Sequence, residues 1–122
     1  MRNSSSENSV VSLEENLKKA LTELLVLKLL SKRDYYIGEL TTTLREKSHE
    51  ILNIVFPYAA IYRMLEDEYI TEAKKRIAPD GRRRQYYQIT ETGRDYLEHL
   101  LETYQRFSHG VAEVLEEDGQ QI

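Results

Sequence analysis

The sequence predicts a mainly α-helical fold that carries one small β-hairpin, and three observations lead there. Apolar residues recur at helical spacing over most of the first 68 positions. From Tyr69 to Ala78, and again from Arg83 to Thr90, β-branched and aromatic residues alternate with polar ones, and Pro79-Asp80-Gly81 between them has the residues of a tight turn. A helical stripe then resumes from Leu97 to Leu115. The 122 residues make one domain, with a core small enough that such chains often gain from association.

Taken in order, residues 1–9 hold four serines and two asparagines without apolar periodicity, and read as a disordered start. A first helix is expected from about Ser12, where Ser12 and Glu15 have capping-box spacing, through Leu13, Leu17, Leu21, Leu24 and Leu25. Its end, Leu24 to Leu30, is apolar on nearly every side, as in an enclosed helix. Ser31 to Asp34 breaks the pattern, and a shorter helix follows from about Tyr36 with Ile37, Leu40 and Leu44 on one face. An irregular apolar connector, Ser48 to Phe56, leads to Pro57, a residue suited to a helix start. The third helix is expected from Tyr58 to Glu68, with Ile61 and Leu65 as its core pair and Met64 a lesser candidate. After the hairpin, Thr90 is placed to cap a last helix of about 28 residues, roughly 40 Å long. These boundaries divide the chain into a disordered segment 1–9, a body 10–90, a terminal helix 91–118 and a tail 119–122.

Composition removes several classes of function. Without cysteine there is no disulfide framework, thiolate metal site or cysteine nucleophile. His49, His99 and His109 are too scattered for a zinc site, and the C-terminal carboxylates have no neighbouring base, nucleophile or glycine-rich loop, so neither a metal, a cofactor nor an enzyme is expected. The longest nearly apolar run, seven residues from Leu24 to Leu30, is far short of the roughly 20 that span a bilayer. The polar N-terminus has no signal-peptide pattern, and a cytoplasmic location is expected.

The net charge of −4 hides a strong polarity. Lys74 to Arg84 carries six cations against Asp80, a net +5 in eleven positions, whereas Glu98 to Ile122 carries six acids against Arg106, a net −5. A basic hairpin behind three helices is the layout of a winged helix-turn-helix, in which the third helix enters the major groove of DNA and the hairpin meets the backbone or the minor groove. On that layout Tyr58, Ala59, Tyr62 and Arg63 of the third helix are the expected DNA-facing residues. Arg45 of the second helix is the foremost phosphate contact there, ahead of Thr41, Thr42 and Lys47, and Lys74, Arg82, Arg83 and Arg84 are expected from the hairpin. One of the three consecutive arginines should face its own domain, and of Tyr86 and Tyr87 one should pack inward and one outward.

The apolar stripe of the last helix outruns what one small domain covers, so its surplus calls for a second copy. The expected dimer residues are Leu17, Leu21 and Leu24 on the first helix, with Leu97, Leu100, Leu101, Tyr104, Phe107, Val111 and Val114 on the last.

Two runs also resemble a known family. Asp80-Gly-Arg-Arg-Arg-Gln-Tyr-Tyr-Gln-Ile-Thr-Glu-Thr-Gly-Arg94 is similar to the wing and following helix start of PadR-family transcriptional regulators, and Tyr58-Ala-Ala-Ile-Tyr-Arg-Met-Leu-Glu-Asp-Glu-Tyr-Ile-Thr-Glu72 is similar to their recognition helix. The likeness covers roughly residues 20–115 and places the chain with the short members that end after one long helix. It departs where the recognition helix reads Ala59-Ala60-Ile61-Tyr62 rather than Tyr-Pro-Ala-Leu. What the resemblance implies is a homodimeric repressor whose terminal helices form the dimer and whose DNA is released by a small molecule. A cavity lined by Leu21, Leu25, Tyr96, Leu100 or Tyr104 would suit a flat aromatic effector, although the same residues make an ordinary dimer core. The alternative to a double-stranded DNA partner is a winged-helix module that binds a protein, which the acidic Glu66, Asp67 and Glu68 would favour.

Overall fold

The computed structural model describes the backbone of residues 2–54 and 57–116, with side chains from Ser9 onward. Helix α1 spans Arg2–Leu30, strand β1 Tyr35–Tyr36, α2 Ile37–Lys47, α3 Tyr58–Glu66, β2 Ile70–Ile77, β3 Arg83–Ile89 and α4 Glu91–Leu115. The three strands form one antiparallel sheet in the order β1-β3-β2.

Helix α1 begins at Arg2, so Ser12 and Glu15 lie inside it and do not cap it, and the backbone is helical where the sequence reads as a disordered start. Extending a formed helix adds one hydrogen bond per residue fixed, which polar residues of middling propensity accept once the leucine-rich turns beyond them are in place. The tail 119–122 lies outside the described residues.

Helices α2 and α3 end in the same way. Past α2, the Glu50 amide donates to the Arg45 carbonyl at 2.8 Å and the His49 amide to the Glu46 carbonyl at 3.2 Å. Past α3, the Tyr69 amide donates to the Met64 carbonyl at 2.9 Å and the Glu68 amide to the Leu65 carbonyl at 3.1 Å. These are Schellman caps, and each puts a non-glycine residue in the left-handed region, His49 at φ 55° and Glu68 at φ 64°. The second cap ends α3 at Glu66, two residues before the expected Glu68.

Pro57 directly precedes α3, and its carbonyl accepts the first helical bond from the Ile61 amide at 3.0 Å. Thr90 caps α4 as expected, its hydroxyl oxygen accepting from the Gly93 amide at 2.9 Å, while the same hydroxyl reaches the Glu68 carbonyl at 2.7 Å. One threonine thereby fastens the start of α4 to the end of α3.

The core gathers Val26, Leu27 and Leu30 of α1, Leu40 of α2, Ile61 and Met64 of α3 and Ile70 of β2, all fully buried. Met64 belongs to the core pair that the sequence assigned to Ile61 and Leu65. The buried stripe of α3 passes through Ala60, Ile61 and Met64, which leaves Leu65 half-buried at its margin.

Candidate nucleic-acid interface

Burial of Ala60, Ile61 and Met64 fixes which side of α3 meets solvent. Ala59 and Tyr62 lie near the middle of the exposed face, with Tyr58 and Arg63 at its two edges. The rings of Tyr58 and Tyr62 stack with centroids 6.3 Å apart. Arg63 is turned away from this face, and its guanidinium Nε donates to the Glu23 carboxylate on α1.

The hairpin β2–β3 is the wing, and its turn is built as the sequence reads. The Gly81 amide donates to the Ala78 carbonyl at 2.8 Å, with Pro79 and Asp80 at the central positions. Asp80 Oδ1 accepts from the Arg82 amide at 3.0 Å, and Gly81 has φ 85°. A bulge between Glu72 and Lys75 sets Ala73 and Lys74 against a single residue of β3, and the Gln85 side chain donates to the Ala73 carbonyl at 2.6 Å.

Alternation on β3 and the register with β2 sort the wing cations onto two faces. The first face carries Tyr36, Tyr86, Arg76 and Arg84, and its charges are already used. Arg76 pairs with Asp34 at 2.9 Å and lies 4.1 Å from the centre of the Tyr86 ring. Arg84 pairs with Asp80 and lies 5.2 Å from the centre of the Tyr36 ring. That hydrogen bond holds the Asp80 carboxyl below the usual carboxylate range and raises Arg84. Arg84 is thus the member of the arginine triplet that faces its own domain.

The opposite face continues the core-facing side of the sheet outward from Ile89 and Tyr87, and carries Lys75, Ile77 and Arg83. Among the described residues neither Lys75 nor Arg83 nor the turn residue Arg82 has an acidic partner. Of the neighbouring Lys74 and Lys75, which alternation sends to opposite faces, the expected set kept Lys74; both are exposed, and Lys75 is the one that lies on the face of Arg83. The bulge explains the difference, because it shifts the phase of β2 by one residue and pairs Lys75 with Gln85 beside Arg83.

Tyr86 and Tyr87 are both buried, against the expectation that one faces solvent. Tyr87 packs into the core, while Tyr86 on the other face is covered by Arg76 and by the edge of Tyr36, 5.5 Å away between centroids. The two-residue strand β1, which brings Tyr36 there, is too short to leave a sequence pattern.

Between α2, the start of α3 and the wing lies a groove of about 400 Å³ lined by Tyr36, Thr41, Arg45, Asn53, Tyr58 and Arg84. Arg45 pairs with Glu50 at 3.5 Å, whereas the Thr41 hydroxyl is taken by the Gly38 carbonyl at 2.9 Å. Lys47 and Thr42 are exposed on α2. The groove thus brings Tyr58 of α3 and Arg45 of α2 beside Arg84, Gln85 and Tyr87 of the wing strand.

The model of the PadR-like family of transcriptional regulators matches residues 26–99, which contain every residue of this groove. The chain belongs to the PadR-like family. Solved structures agree. A transcriptional regulator from Clostridium thermocellum is 24% identical with a TM-score of 0.72, over 80% of this chain and 93% of that one. A PadR-like transcriptional regulator from Bacillus cereus is 25% identical with a TM-score of 0.71, over 83% and 97%. A Streptococcus transcriptional regulator is 26% identical with a TM-score of 0.67, over 80% and 94%. No curated protein matches the chain. The fold is the winged helix of PadR regulators, and DNA-binding regulation is the function that this family membership supports.

The residues expected at a dimer interface divide into two groups in this PadR-like chain. Leu24 and Leu97 are buried in the chain's own core, because α1 and α4 already pack on each other there, and Leu21, Leu100 and Leu101 are partly covered against that core. Leu17, Tyr104, Phe107, Val111 and Val114 are exposed. An apolar groove of about 480 Å³ runs between α1 and α4, lined by Leu17, Leu21, Leu24, Leu100, Tyr104 and Phe107 among others. Of the residues expected to line an effector cavity, Leu21, Leu100 and Tyr104 lie on it. Leu25 and Tyr96 pack against the core instead, with the Tyr96 ring stacked on Tyr69 at 4.0 Å. Among the described residues no helix is long and apolar enough to cross a membrane.

Proposed function

We propose that this chain is a homodimeric transcriptional repressor that places the start of α3 in the major groove and the wing along the flanking backbone or minor groove of a two-fold symmetric operator. The observation that carries the reading is the sorting of wing charges. Cations on one face are paired with Asp34 and Asp80, while Lys75, Arg82 and Arg83, without an acidic partner among the described residues, keep their charge for a polyanion. Tyr58, Ala59 and Tyr62 supply the groove contacts, a tyrosine hydroxyl donating to phosphate and the small Ala59 admitting close approach to base edges. Arg45 lines the groove between α2 and the wing beside Tyr58, where it is placed for a backbone phosphate. The acidic Glu66, Asp67 and Glu68 stand at the far end of α3 from the turns that would enter the duplex.

Dimerisation is supported by the outer part of α4. Tyr104, Phe107, Val111, Val114 and Leu115 form an apolar stripe, with Leu115 76% exposed, and Leu17 of α1 lies beside its inner end, while Val10 and Leu13 of α1 are exposed as well. Such a stripe on a single chain is the seam of a helical interface. Repression and release by a small aromatic effector are the modes that the family resemblance implies, and the apolar groove between α1 and α4 is the place for such a molecule.

The test is titration of the protein into labelled DNA from its own upstream region at two salt concentrations, beside random sequence. Tight binding that weakens with salt and is lost on joint replacement of Arg82 and Arg83 by alanine is expected. Binding no tighter than to random DNA would favour a protein partner.

A further inference from the structure

Glu23 sits two turns before the end of α1 with both carboxylate oxygens engaged by other helices. Its Oε2 accepts from Arg63 Nε on α3, and its Oε1 accepts from the Tyr96 hydroxyl on α4 at 3.0 Å. The Glu23 side chain is 16% exposed and the Arg63 side chain 58%, so a half-buried carboxylate holds a guanidinium that reaches it from solvent, and what the pair supplies is direction more than stability. The Tyr96 ring stacks on Tyr69, the residue whose amide completes the α3 cap.

We propose that Glu23 is a positioning residue for the recognition helix, fixing the rotation of α3 about its own axis by holding Arg63 against α1 and α4. The inference rests on the DNA-binding reading above and deepens it. Helix α3 has nine residues, and it touches the core through Ala60, Ile61 and Met64, which are apolar contacts without direction. Arg63 is the next residue after Tyr62 and follows Ala59 by one turn, so a small roll of the helix that releases Arg63 also swings the Tyr62–Ala59 face. On α1 the neighbours Leu21 and Leu24 line the groove shared with Leu100 of α4, so the spacing of α1 and α4 bears on the same carboxylate that holds α3. This reassigns Arg63 from a DNA contact to a member of the scaffold.

The two roles of Arg63 predict opposite results. If Glu23 positions α3, Glu23→Gln and Arg63→Gln each weaken operator binding about tenfold without changing the salt slope, and the double variant is no weaker than either alone. Tighter binding by Glu23→Gln, or a salt slope reduced by about one in Arg63→Gln, would mean that Arg63 is a phosphate contact for which Glu23 competes, and would overturn the proposal. Amide hydrogen exchange on the free protein separates this question from DNA binding itself. Faster exchange of residues 58–66 in Glu23→Gln, with the amides of Leu27 and Ile89 unchanged, supports the proposal even if the wild type binds no DNA. Unchanged exchange in α3 overturns it. Far-ultraviolet circular dichroism establishes that each variant is folded.

Discussion

Asp80 and Arg84 join across the wing turn, and among the described residues the two arginines between them in sequence have no acidic partner. The wing therefore has one arginine for its own architecture and two for a partner. Asp80 Oδ1 also accepts from the Arg82 amide, so an asparagine at 80 would keep that turn contact while removing the charge. Asp80→Asn is expected to raise DNA affinity severalfold, since it frees Arg84 and deletes a repulsive carboxylate. The melting temperature should hardly move, because exposed ion pairs contribute little. By contrast Arg82→Ala and Arg83→Ala should each weaken binding and lower the salt slope by about one, whereas Arg84→Ala should cost less. Fluorescence anisotropy across a salt series reads all four variants.

Gly93 is held in place by its neighbours. A Cβ there would come within 2.0 Å of the Tyr69 carbonyl oxygen and 2.9 Å of Ile89 Cγ1. The carbonyl is fixed, since it accepts the Thr90 amide at 3.0 Å where α4 joins the sheet. Gly93→Ala should therefore destabilise the fold by about 3 kcal/mol, at the upper end for overpacking, despite the better helix propensity of alanine. Urea denaturation gives the value, and Gly110→Ala is the contrast, because among the described residues nothing lies within 4 Å of a Cβ at that position.

Several of these features were legible in the residues alone. The order of helices and hairpin follows from a change of period between Glu68 and Thr90, and the wing turn from Pro79, Asp80 and Gly81. The Thr90 cap was legible because threonine stands where β-alternation stops. The end of α3 was not, since the usual mark of a Schellman cap is glycine and here Glu68 takes the left-handed position. Nor was the sorting of wing charges. It depends on the bulge at Ala73–Lys74 and on Asp34, which is 42 residues from its partner Arg76. The Arg63–Glu23 pair was illegible for the same reason, because its two residues stand 40 apart in the chain. Long-range pairing decides which of several exposed cations remains available, and single-sequence spacing does not carry it.

The left-handed cap residues lead to a stability prediction. An L side chain at φ 64° is strained relative to glycine, and Glu68 is exposed, so its side chain contributes little packing in return. Glu68→Gly is expected to stabilise the protein by up to about 1 kcal/mol, the strain relief outweighing the added freedom of the unfolded chain. It also removes a negative charge from the end of α3. A rise in melting temperature measured by calorimetry checks the sign.

The apolar stripe on α4 predicts separable effects on assembly and folding. Phe107 is 64% exposed and Val111 53%, so neither carries the fold of the single chain. Phe107→Glu with Val111→Glu should yield a folded monomer by sedimentation velocity, with helical content retained. Operator affinity should fall steeply in the same variant, because a monomer loses the second half-site about one helical turn away.

Tyr96 gives a pH dependence whose sign can be stated. Burial, reinforced by its hydrogen bond to Glu23, pushes the Tyr96 hydroxyl from its ordinary value near 10 up to about 12. The folded state therefore favours the protonated phenol. Its contribution to stability is fully present below pH 10 and is lost as pH rises from 10 towards 12, where the unfolded chain sheds the proton first. Burial raises Tyr36 and Tyr87 as well, so the wild-type profile sums several groups. Tyr96→Phe isolates one of them. It removes the hydroxyl from Glu23 and should lower stability at pH 7, yet the fall between pH 10 and 12 should become shallower than in the wild type. Denaturation midpoints for the two proteins across pH 7 to 12 would converge at the alkaline end if the Tyr96 hydroxyl is held protonated by the fold, and would run parallel if it titrates alike in the folded and unfolded chain.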